Sequence, residues 1–369
     1  MMVTPPQNAR REALAAVDLD VVASNFRVLA AASGPAACAA IVKGDGYGLG
    51  MLPEARAAWS AGARLFFIAR FEDGVALRSA LPQARIGVLD GLSGFEPADF
   101  ARERLEPVLG IAEDIRQWFG QGAPGPCMIQ IDTGMNRLGL KPRELAGVAE
   151  VIRSHPKSVT AWLTHFASAD DVDLGFCREQ VARFETAIAP LPAAPKSIVN
   201  SSGLYLGVPD WRQAFTRPGK ALAGINPMPP GEQNPVRQAM TVTAPILQVS
   251  DVARGDSIGY SATFRAARPM RIATLGIGYS NGYLRSLSNR GIAAFNGKRA
   301  PIVGRVSMDL TTVDVSALAD KDLAASFAEV LGPAIGLTEL ASLAGTNEYE
   351  MQIALGRGCK RVYLESRKT

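Results

Sequence analysis

The stretch from Ala40 to Gly50, AIVKGDGYGLG, passes from an apolar, partly β-branched run into Lys43 and then into four glycines that alternate with other residues. A buried strand gains nothing from an ammonium group at its end. A cofactor held covalently through an imine does need one, because a desolvated lysine loses its proton readily and becomes a nucleophile. The glycines let the chain pass close to a bulky group, and Tyr47 offers a hydroxyl there. Taken alone, the stretch fits either this nucleophile or a structural lysine whose charged end reaches water.

Short β-rich runs alternate with amphipathic helices through the first two thirds of the chain. The β-rich runs cover residues 37–43, 65–69, 85–89, 106–109, 128–132, 159–166, 196–200 and 213–217. Between them, apolar residues recur at helical spacing, as in 20–29 and 177–191. Such alternation predicts βα units around a parallel sheet. About eight units in roughly 230 residues fit a (β/α)8 TIM-type barrel, of the α/β class, better than a doubly wound sheet.

A second domain is predicted beyond the Pro/Gly-rich stretch 224–231. The β-rich runs that follow cover residues 240–249, 257–263, 271–276 and 301–315, with one clear helix at 337–343 and a last strand at 360–364. We therefore predict a cofactor-binding barrel over residues 12–230 and a mainly β domain over 231–369, which the N-terminal few residues join.

Composition and charge exclude several classes of function. The chain of 369 residues has a formal net charge of only +4 and no basic cluster with interleaved aromatic residues, so no nucleic-acid partner is expected. No apolar stretch approaches the ~18 residues of a membrane span, and the start of the chain lacks the apolar run of a secretory signal. The four cysteines show no CxxC spacing and only two histidines are present, so neither a metal site nor a disulfide framework is expected. These features predict a cytoplasmic protein.

Unusual polar residues fall at the carboxyl ends of the predicted barrel strands, where barrel enzymes build their active sites. The five segments are Lys43, DTGMNR (132–137), THF (164–166), NSSG (200–203) and RPGK (217–220). Each has a plain structural interpretation by itself: a turn cap for Asp132, a core histidine for His165, a surface turn for Arg217. Ser201 fits a loop or a phosphate cradle. Five independent segments that converge on one face predict a functional site there.

In this order, the segments resemble the alanine racemases, which are pyridoxal 5'-phosphate enzymes with a barrel and a β domain. The matching motifs are VKGDGYG (42–48), DTGMNRLG (132–139), THFASAD (164–170), NS (200–201), RPG (217–219), GYSATF (259–264), GIGY (276–279) and VGRVSMD (303–309). The resemblance implies that L-alanine and D-alanine are interconverted by two-base proton transfer while alanine is imine-bound to the cofactor. The D-alanine would supply peptidoglycan synthesis, or the L-alanine would supply catabolism.

The resemblance also implies four catalytic positions. Lys43 would hold the cofactor and act as one base, and Tyr260, from the β domain of a second subunit, would act as the other. His165 would help to keep Tyr260 basic and would hydrogen-bond Arg217, which would face the pyridine nitrogen. A homodimer with shared active sites follows from this arrangement.

The binding positions carry over in the same way. The positions that correspond to cofactor-binding residues of the family are Lys43, Tyr47, Arg137, His165, Asn200, Ser201, Arg217, Gly219 and Lys220. The positions that correspond to substrate-binding residues are Arg137, Met308, Asp309 and Tyr279, the last at the entrance.

Two departures from the family lie close to this site. Gln130 stands where many members carry a carbamylated lysine that braces the substrate-binding arginine, so Arg137 must be held otherwise, by a bound anion or by Asn136. Lys220 replaces a residue that is usually isoleucine, and its ammonium group either adds positive charge or turns to solvent.

Further departures concern the width of the pocket. They are Ala223 for a common tyrosine, Asn281 for a common aspartate and Arg357 for a phosphate-binding tyrosine of some members. They leave open a broad-specificity amino-acid racemase on the same scaffold. The sequence lacks the substrate-recognition residues of a basic-amino-acid decarboxylase. A non-enzymatic cofactor carrier would have the barrel alone, without the β domain. A barrel that binds no cofactor is the remaining alternative.

Overall fold

The computed structural model describes residues 12–171, 173–229 and 231–366, and the chain divides into two compact units. The barrel unit contains residues 22–46 and 51–237. The β unit contains the described residues up to Val21, residues 47–50 and the chain from Gln238 onward. The predicted domains differ from these units in three places, since residues 12–21 and 47–50 belong to the β unit and residues 231–237 belong to the barrel unit.

Seven parallel strands of the barrel unit are hydrogen-bonded in chain order, and an eighth lies beside the first. The eight barrel strands are Ala37–Cys38 with Ala40–Ile41, Leu65–Ile68, Arg85–Val88, Glu106–Leu109, Cys127–Gln130, Val159–Leu163, Lys196–Ser197 and Phe215–Thr216. Several of them, such as Leu65–Ile68, are buried at every residue, because parallel sheets are covered on both faces.

The eighth strand closes the barrel. Its residues Phe215 and Thr216 pair in parallel with Ala37 and Cys38 of the first strand. On its other side, the Arg217 N–H donates to the carbonyl of Val199 at 2.8 Å. The predicted TIM-type barrel is therefore confirmed.

The helices that precede and separate the barrel strands bury one apolar face each. They are Leu19–Ser33, Met51–Ser60, Phe71–Ala80, Pro97–Glu103, Ala112–Gly120, Ala149–Ser154 and Gly175–Ile188. In Ala112–Gly120, for example, Ile115, Trp118 and Phe119 are buried at helical spacing. No helix in the described ranges is long and apolar enough to cross a membrane.

The β unit is built around one long strand, Met240–Val252. Its other strands are Leu14–Asp18, Ser257–Ile258, Phe264–Arg265, Met270–Leu275, Ile292–Phe295, Lys298–Pro301, Thr311–Asp314, Phe327–Leu331 and Lys360–Leu364, and its helices are Leu337–Ala344 and Glu348–Gly358. The long strand pairs antiparallel with Leu14–Asp18, Met270–Leu275 and Phe327–Leu331. Leu14–Asp18 also pairs with Lys360–Leu364, which explains why the start of the chain belongs to this unit.

The prediction of one clear helix in this unit was wrong. A second helix, Glu348–Gly358, is preceded by Asn347, whose side chain caps it by accepting a hydrogen bond from the Glu350 N–H at 2.9 Å. Three alanine-containing strands also escaped prediction, namely Leu14–Asp18, Ile292–Phe295 and Phe327–Leu331. Alanine is depleted in strands, so only their pairing with neighbours makes these segments extended.

Candidate active site

Lys43 lies directly after the first barrel strand. The strand is held on both sides, since the Val42 N–H donates to the Phe67 carbonyl at 2.9 Å and the Ile41 N–H to the Pro218 carbonyl at 3.2 Å. Burial lowers the pKa of Lys43, and the positive charge of Arg137 lowers it further. The amine is therefore easier to deprotonate than an exposed lysine, as a nucleophile or a general base requires.

The turn after Lys43 is left-handed. Gly44, Asp45 and Gly46 have φ angles of 66°, 58° and 63°. A Cβ at Gly46 would lie 2.5 Å from Oε2 of Glu54, so the glycine is required by close approach as well as by its φ angle. Glu54 is fully buried, and burial together with the Asp45 carboxylate raises its pKa well above the ordinary value. No motif in the sequence indicated this buried carboxyl group beneath the turn.

Arg217 is held rigidly inside the barrel unit. It is almost completely buried, and its guanidinium donates to the Ser197 hydroxyl and to the Thr164 carbonyl. Burial lowers the pKa of Arg217 to about 9, so the group still carries its charge at neutral pH. The expected hydrogen bond between His165 and Arg217 is absent from the part of the chain that is described, and the carbonyl of Thr164 takes that donor instead.

His165 is neutral in this environment. Burial is the main reason that its pKa falls to about 3, and the positive charges of Arg217, Lys43 and Arg137 lower it further. A neutral imidazole can donate one hydrogen bond and accept another without adding a charge to the site.

This burial predicts a specific sensitivity to acid. The unfolded chain protonates His165 near its ordinary pKa of 6.5, whereas the folded chain does so only near 3. The free energy of unfolding therefore decreases as the pH falls below about 6.5. His165 alone accounts for a decrease of about 3 kcal/mol at pH 4. In His165→Gln, the free energy of unfolding measured with urea should decrease less between pH 7 and pH 4 than it does in the wild type. His155→Gln, at the partly exposed histidine, is the control and should keep the wild-type loss. Equal losses in all three proteins would contradict the prediction.

A cradle of main-chain N–H groups lies beside these side chains. The Oγ of Ser201 accepts the N–H of Gly219 at 2.9 Å and the N–H of Ala221 at 3.3 Å. Asn200 forms a parallel bridge with Arg217, and its Oδ1 accepts the Gly203 N–H at 2.9 Å. The Ser201 hydroxyl and the N–H groups of Gly219 and Ala221 therefore lie together, and such a group of donors suits an anion such as a phosphate group. Among the described residues, no group of three or more His, Cys, Asp and Glu side chains could hold a metal ion.

Lys220 is buried next to this cradle. Its Nζ lies 2.8 Å from Oδ1 of Asp170, and the Ser202 hydroxyl donates to the same oxygen. The interpretation of Lys220 as a solvent-turned side chain is therefore wrong, because the ammonium group is paired inside the protein. Sequence reasoning missed both the pairing of Lys220 with Asp170 and the bond from Ser202 to Asp170.

Arg137 lies on an exposed loop that is held by its main chain. Oδ1 of Asp132 accepts the Gly134 N–H at 2.9 Å and the Asn136 N–H at 3.1 Å. The side chain of Gln130 donates to the carbonyl of Leu138, directly after Arg137. Gln130 thus takes part in holding the loop, by a route that the sequence did not suggest.

The remaining predicted residues belong to the β unit. They are Tyr47, Tyr260, Tyr279, Met308 and Asp309. Tyr260, in the turn Tyr260–Ala262, is 70% exposed, and Met308 is 55% exposed. The segments of Tyr279 and Met308 are joined, since the Ser280 N–H donates to the Met308 carbonyl at 2.9 Å. Oδ1 of Asp309 accepts the Ser280 hydroxyl at 2.6 Å.

Tyr47 is buried in the β unit. Its carbonyl accepts a hydrogen bond from Nε2 of Gln352 at 3.1 Å, and the centre of its ring lies 6.3 Å from the centre of the Tyr349 ring. Helix Glu348–Gly358 therefore supports the end of the glycine-rich stretch, although the sequence had not predicted that helix.

Comparison with known proteins extends over nearly the whole chain. The family profile for the alanine racemase N-terminal domain matches residues 17–227, and that for the C-terminal domain matches residues 239–363. The alanine racemase of Acidiphilium cryptum is 42% identical over 356 residues, which cover 94% of this chain and 97% of that protein. An alanine racemase of a Methylobacterium species is 38% identical over 99% of this chain and 100% of its own length.

A solved structure agrees with these relatives. The alanine racemase of Bartonella henselae, with covalently bound pyridoxal phosphate, is 33% identical and superposes with a TM-score of 0.89 over 96% of this chain and 100% of its own. The resemblance first seen in the ordered motifs is thereby confirmed. The chain belongs to the alanine racemase family.

Proposed function

We propose that the protein is a pyridoxal-phosphate-dependent alanine racemase that interconverts L-alanine and D-alanine. The observation that carries the proposal is the placement of Lys43, a buried amine of lowered pKa at a strand end, near the charges of Arg137 and Arg217. Family membership and the covalently bound cofactor of the Bartonella henselae structure support the same activity.

The residues present fit this cofactor. Lys43 would hold it covalently, and Ser201, the main chain of Gly219 and Lys220, and Tyr47 would bind its phosphate group. Asn200 and Arg217 would line the ring. When bound, pyridoxal phosphate withdraws electrons from the substrate and makes the Cα proton of alanine acidic.

Arg217 and His165 would fix the electrostatics of the ring. A guanidinium holds its proton firmly, so Arg217 would donate a hydrogen bond to the ring nitrogen without transferring the proton. His165 would remain neutral beside it and would support the catalytic tyrosine without adding charge.

Two bases on opposite faces of alanine would move the Cα proton. Lys43 would serve one face, and the phenol of Tyr260 from a second subunit the other, with their roles exchanged by the direction of the reaction. The exposure of Tyr260 in the single chain supports such a use by a neighbour. We therefore infer a homodimer with two shared active sites.

The substrate carboxylate would be bound by Arg137 and by the main-chain N–H of Met308 from the partner. Asp309 would stabilise the Met308 segment through Ser280, and Tyr279 would narrow the entrance. These roles would orient alanine for proton removal.

Gln130 should affect substrate binding through Arg137. In Gln130→Ala the Leu138 carbonyl loses its donor, so we expect the KM for L-alanine to rise about fivefold, the effect of one neutral hydrogen bond, with kcat little changed. Gln213→Ala is a matched control, since it removes a glutamine bond to the Asp210 carbonyl before the eighth strand. A KM that stays at the wild-type value in Gln130→Ala would show that the loop needs no help from this side chain.

The direct test is circular dichroism of L-alanine incubated with the protein and pyridoxal phosphate. The optical signal should decay to zero, and the same should occur from D-alanine. A panel of L-serine, L-lysine and L-arginine tests the broad-specificity alternative, and we expect rates far below that for alanine. No decay with alanine under conditions of cofactor loading would refute the proposal.

We further infer that the enzyme works in the cytoplasm. All four cysteines are free thiols, three of them buried, which suits a reducing compartment. The product would be D-alanine for peptidoglycan or L-alanine for catabolism. A deletion strain that requires added D-alanine for growth would identify the first role, and one that fails only on D-alanine as a nutrient would identify the second.

A further inference from the structure

An ion pair between a buried lysine and a largely exposed aspartate ties together three loops at the carboxyl end of the barrel. Lys220 follows the eighth strand, Asp170 follows the sixth, and Ser202 follows the seventh. The Lys220 side chain is only 10% exposed and its Nζ lies 2.8 Å from the Asp170 carboxylate, which is 65% exposed. The Ser202 hydroxyl donates to the same carboxylate oxygen.

The neighbours of this pair are the residues of the anion cradle. Ser202 follows Ser201 in the chain, and Lys220 follows Gly219. The Gly219 N–H donates a hydrogen bond to the Ser201 hydroxyl at 2.9 Å. The Asp170 carboxylate is thus tied to both segments that would bind the phosphate group. Desolvation opposes its ionisation, but Lys220 and Ser202 hold the pKa of Asp170 below its ordinary value, so the carboxylate is charged at neutral pH.

A carboxylate in this position has two opposing effects. It accepts hydrogen bonds that fasten the loops to one another, and it repels a phosphate dianion placed on the cradle. An ammonium group in contact with it cancels the repulsion and keeps the bonds. An apolar side chain at position 220 would leave the negative charge of Asp170 uncompensated.

We propose that Lys220 is a positioning residue that neutralises Asp170, so that the carboxylate can fasten the three loops beside a bound phosphate monoester. The inference rests on the proposed function, because pyridoxal phosphate supplies that phosphate group. It assigns to the Lys220 side chain a role distinct from phosphate binding by the main chain of the same residue.

The test is the dissociation constant of pyridoxal phosphate from the full-length holoenzyme, measured by ultrafiltration at several total cofactor concentrations. Lys220→Met should weaken binding about tenfold, the order of one partly screened charge interaction. Asp170→Asn should bind at least as tightly as the wild type. The double variant should return to within about twofold of the wild type, because removal of both charges restores the balance. Lys196→Met, which removes the pairing of the first residue of the seventh strand with Glu185, is the matched control and should bind normally.

Three results would overturn the inference: normal binding by Lys220→Met, a double variant as weak as Lys220→Met, or a tenfold loss in Asp170→Asn. If Lys220→Met does not fold, as judged by thermal unfolding, Lys220→Gln removes the same charge while keeping a donor, and its rescue by Asp170→Asn is measured instead. A wild-type protein that binds no pyridoxal phosphate would refute the proposed function itself. A wild-type protein that binds it, with no rescue in the double variant, refutes only the role of Lys220.

Discussion

Lys43→Ala should lower the rate of alanine racemisation about 10³-fold or more, because it removes both the covalent attachment point of the cofactor and one of the two bases. The guanidinium groups of Arg137 and Arg217, whose charges act on Lys43, cannot form the imine in its place, and the Lys220 ammonium group is paired with Asp170. Borohydride reduction followed by peptide mass analysis provides a second measurement. The wild type should carry the cofactor on the peptide that contains residue 43, and the variant should carry none.

Lys157→Ala is the control for this substitution. Lys157 is exposed in the turn that precedes the sixth barrel strand, at the opposite end from Lys43. The control should racemise alanine at the wild-type rate and keep its covalent cofactor. Substantial activity in Lys43→Ala, or cofactor attached to another lysine, would contradict the assignment of the nucleophile.

Tyr260→Phe should lower kcat in both directions, also by about 10³-fold, while pyridoxal phosphate still binds. Since Lys43 remains, the Cα proton of one alanine enantiomer should still exchange with deuterium in heavy water, and that of the other enantiomer should not. Mass spectrometry of L-alanine and D-alanine, incubated separately, measures this directly. Equal exchange of both enantiomers would mean that the phenol is not the second base.

Tyr279→Phe is the matched control for the phenol. Tyr279 is a second exposed tyrosine of the β unit, and it is assigned to the entrance instead of to proton transfer. We expect a change of less than about tenfold in kcat and exchange of both enantiomers. A larger effect than in Tyr260→Phe would reverse the two assignments.

The barrel was predictable from sequence because its strands are short apolar runs with β-branched or aromatic residues, separated by helical periodicity. Leu65–Ile68, for example, consists of leucine, phenylalanine and isoleucine alone. The β unit was harder. Leu14–Asp18 is extended only because two strands distant in sequence lie beside it, and local composition holds no record of such pairing.

The candidate site divides in a similar way. Lys43, His165 and Arg217 stand at strand ends, so the rule that barrel sites gather at carboxyl ends was enough to bring them together. Other contacts around the site were not predictable. Asp170 and Lys220 are 50 positions apart, and Glu54 reaches the turn at Gly46 by packing alone. Such contacts depend on how loops and helices pack in three dimensions, which motif spacing does not encode.

Subunit complementation tests the central claim most directly, namely that one chain supplies the amine and its partner the phenol at each site. Lys43→Ala and Tyr260→Phe chains with different affinity tags are expressed together, and the hybrid dimer is purified through both tags. One of its two sites should combine Lys43 and Tyr260 intact, so the hybrid should show about half of the wild-type activity although each parent is inactive. If both residues act within one chain, no site of the hybrid is intact, and an inactive hybrid would contradict the account.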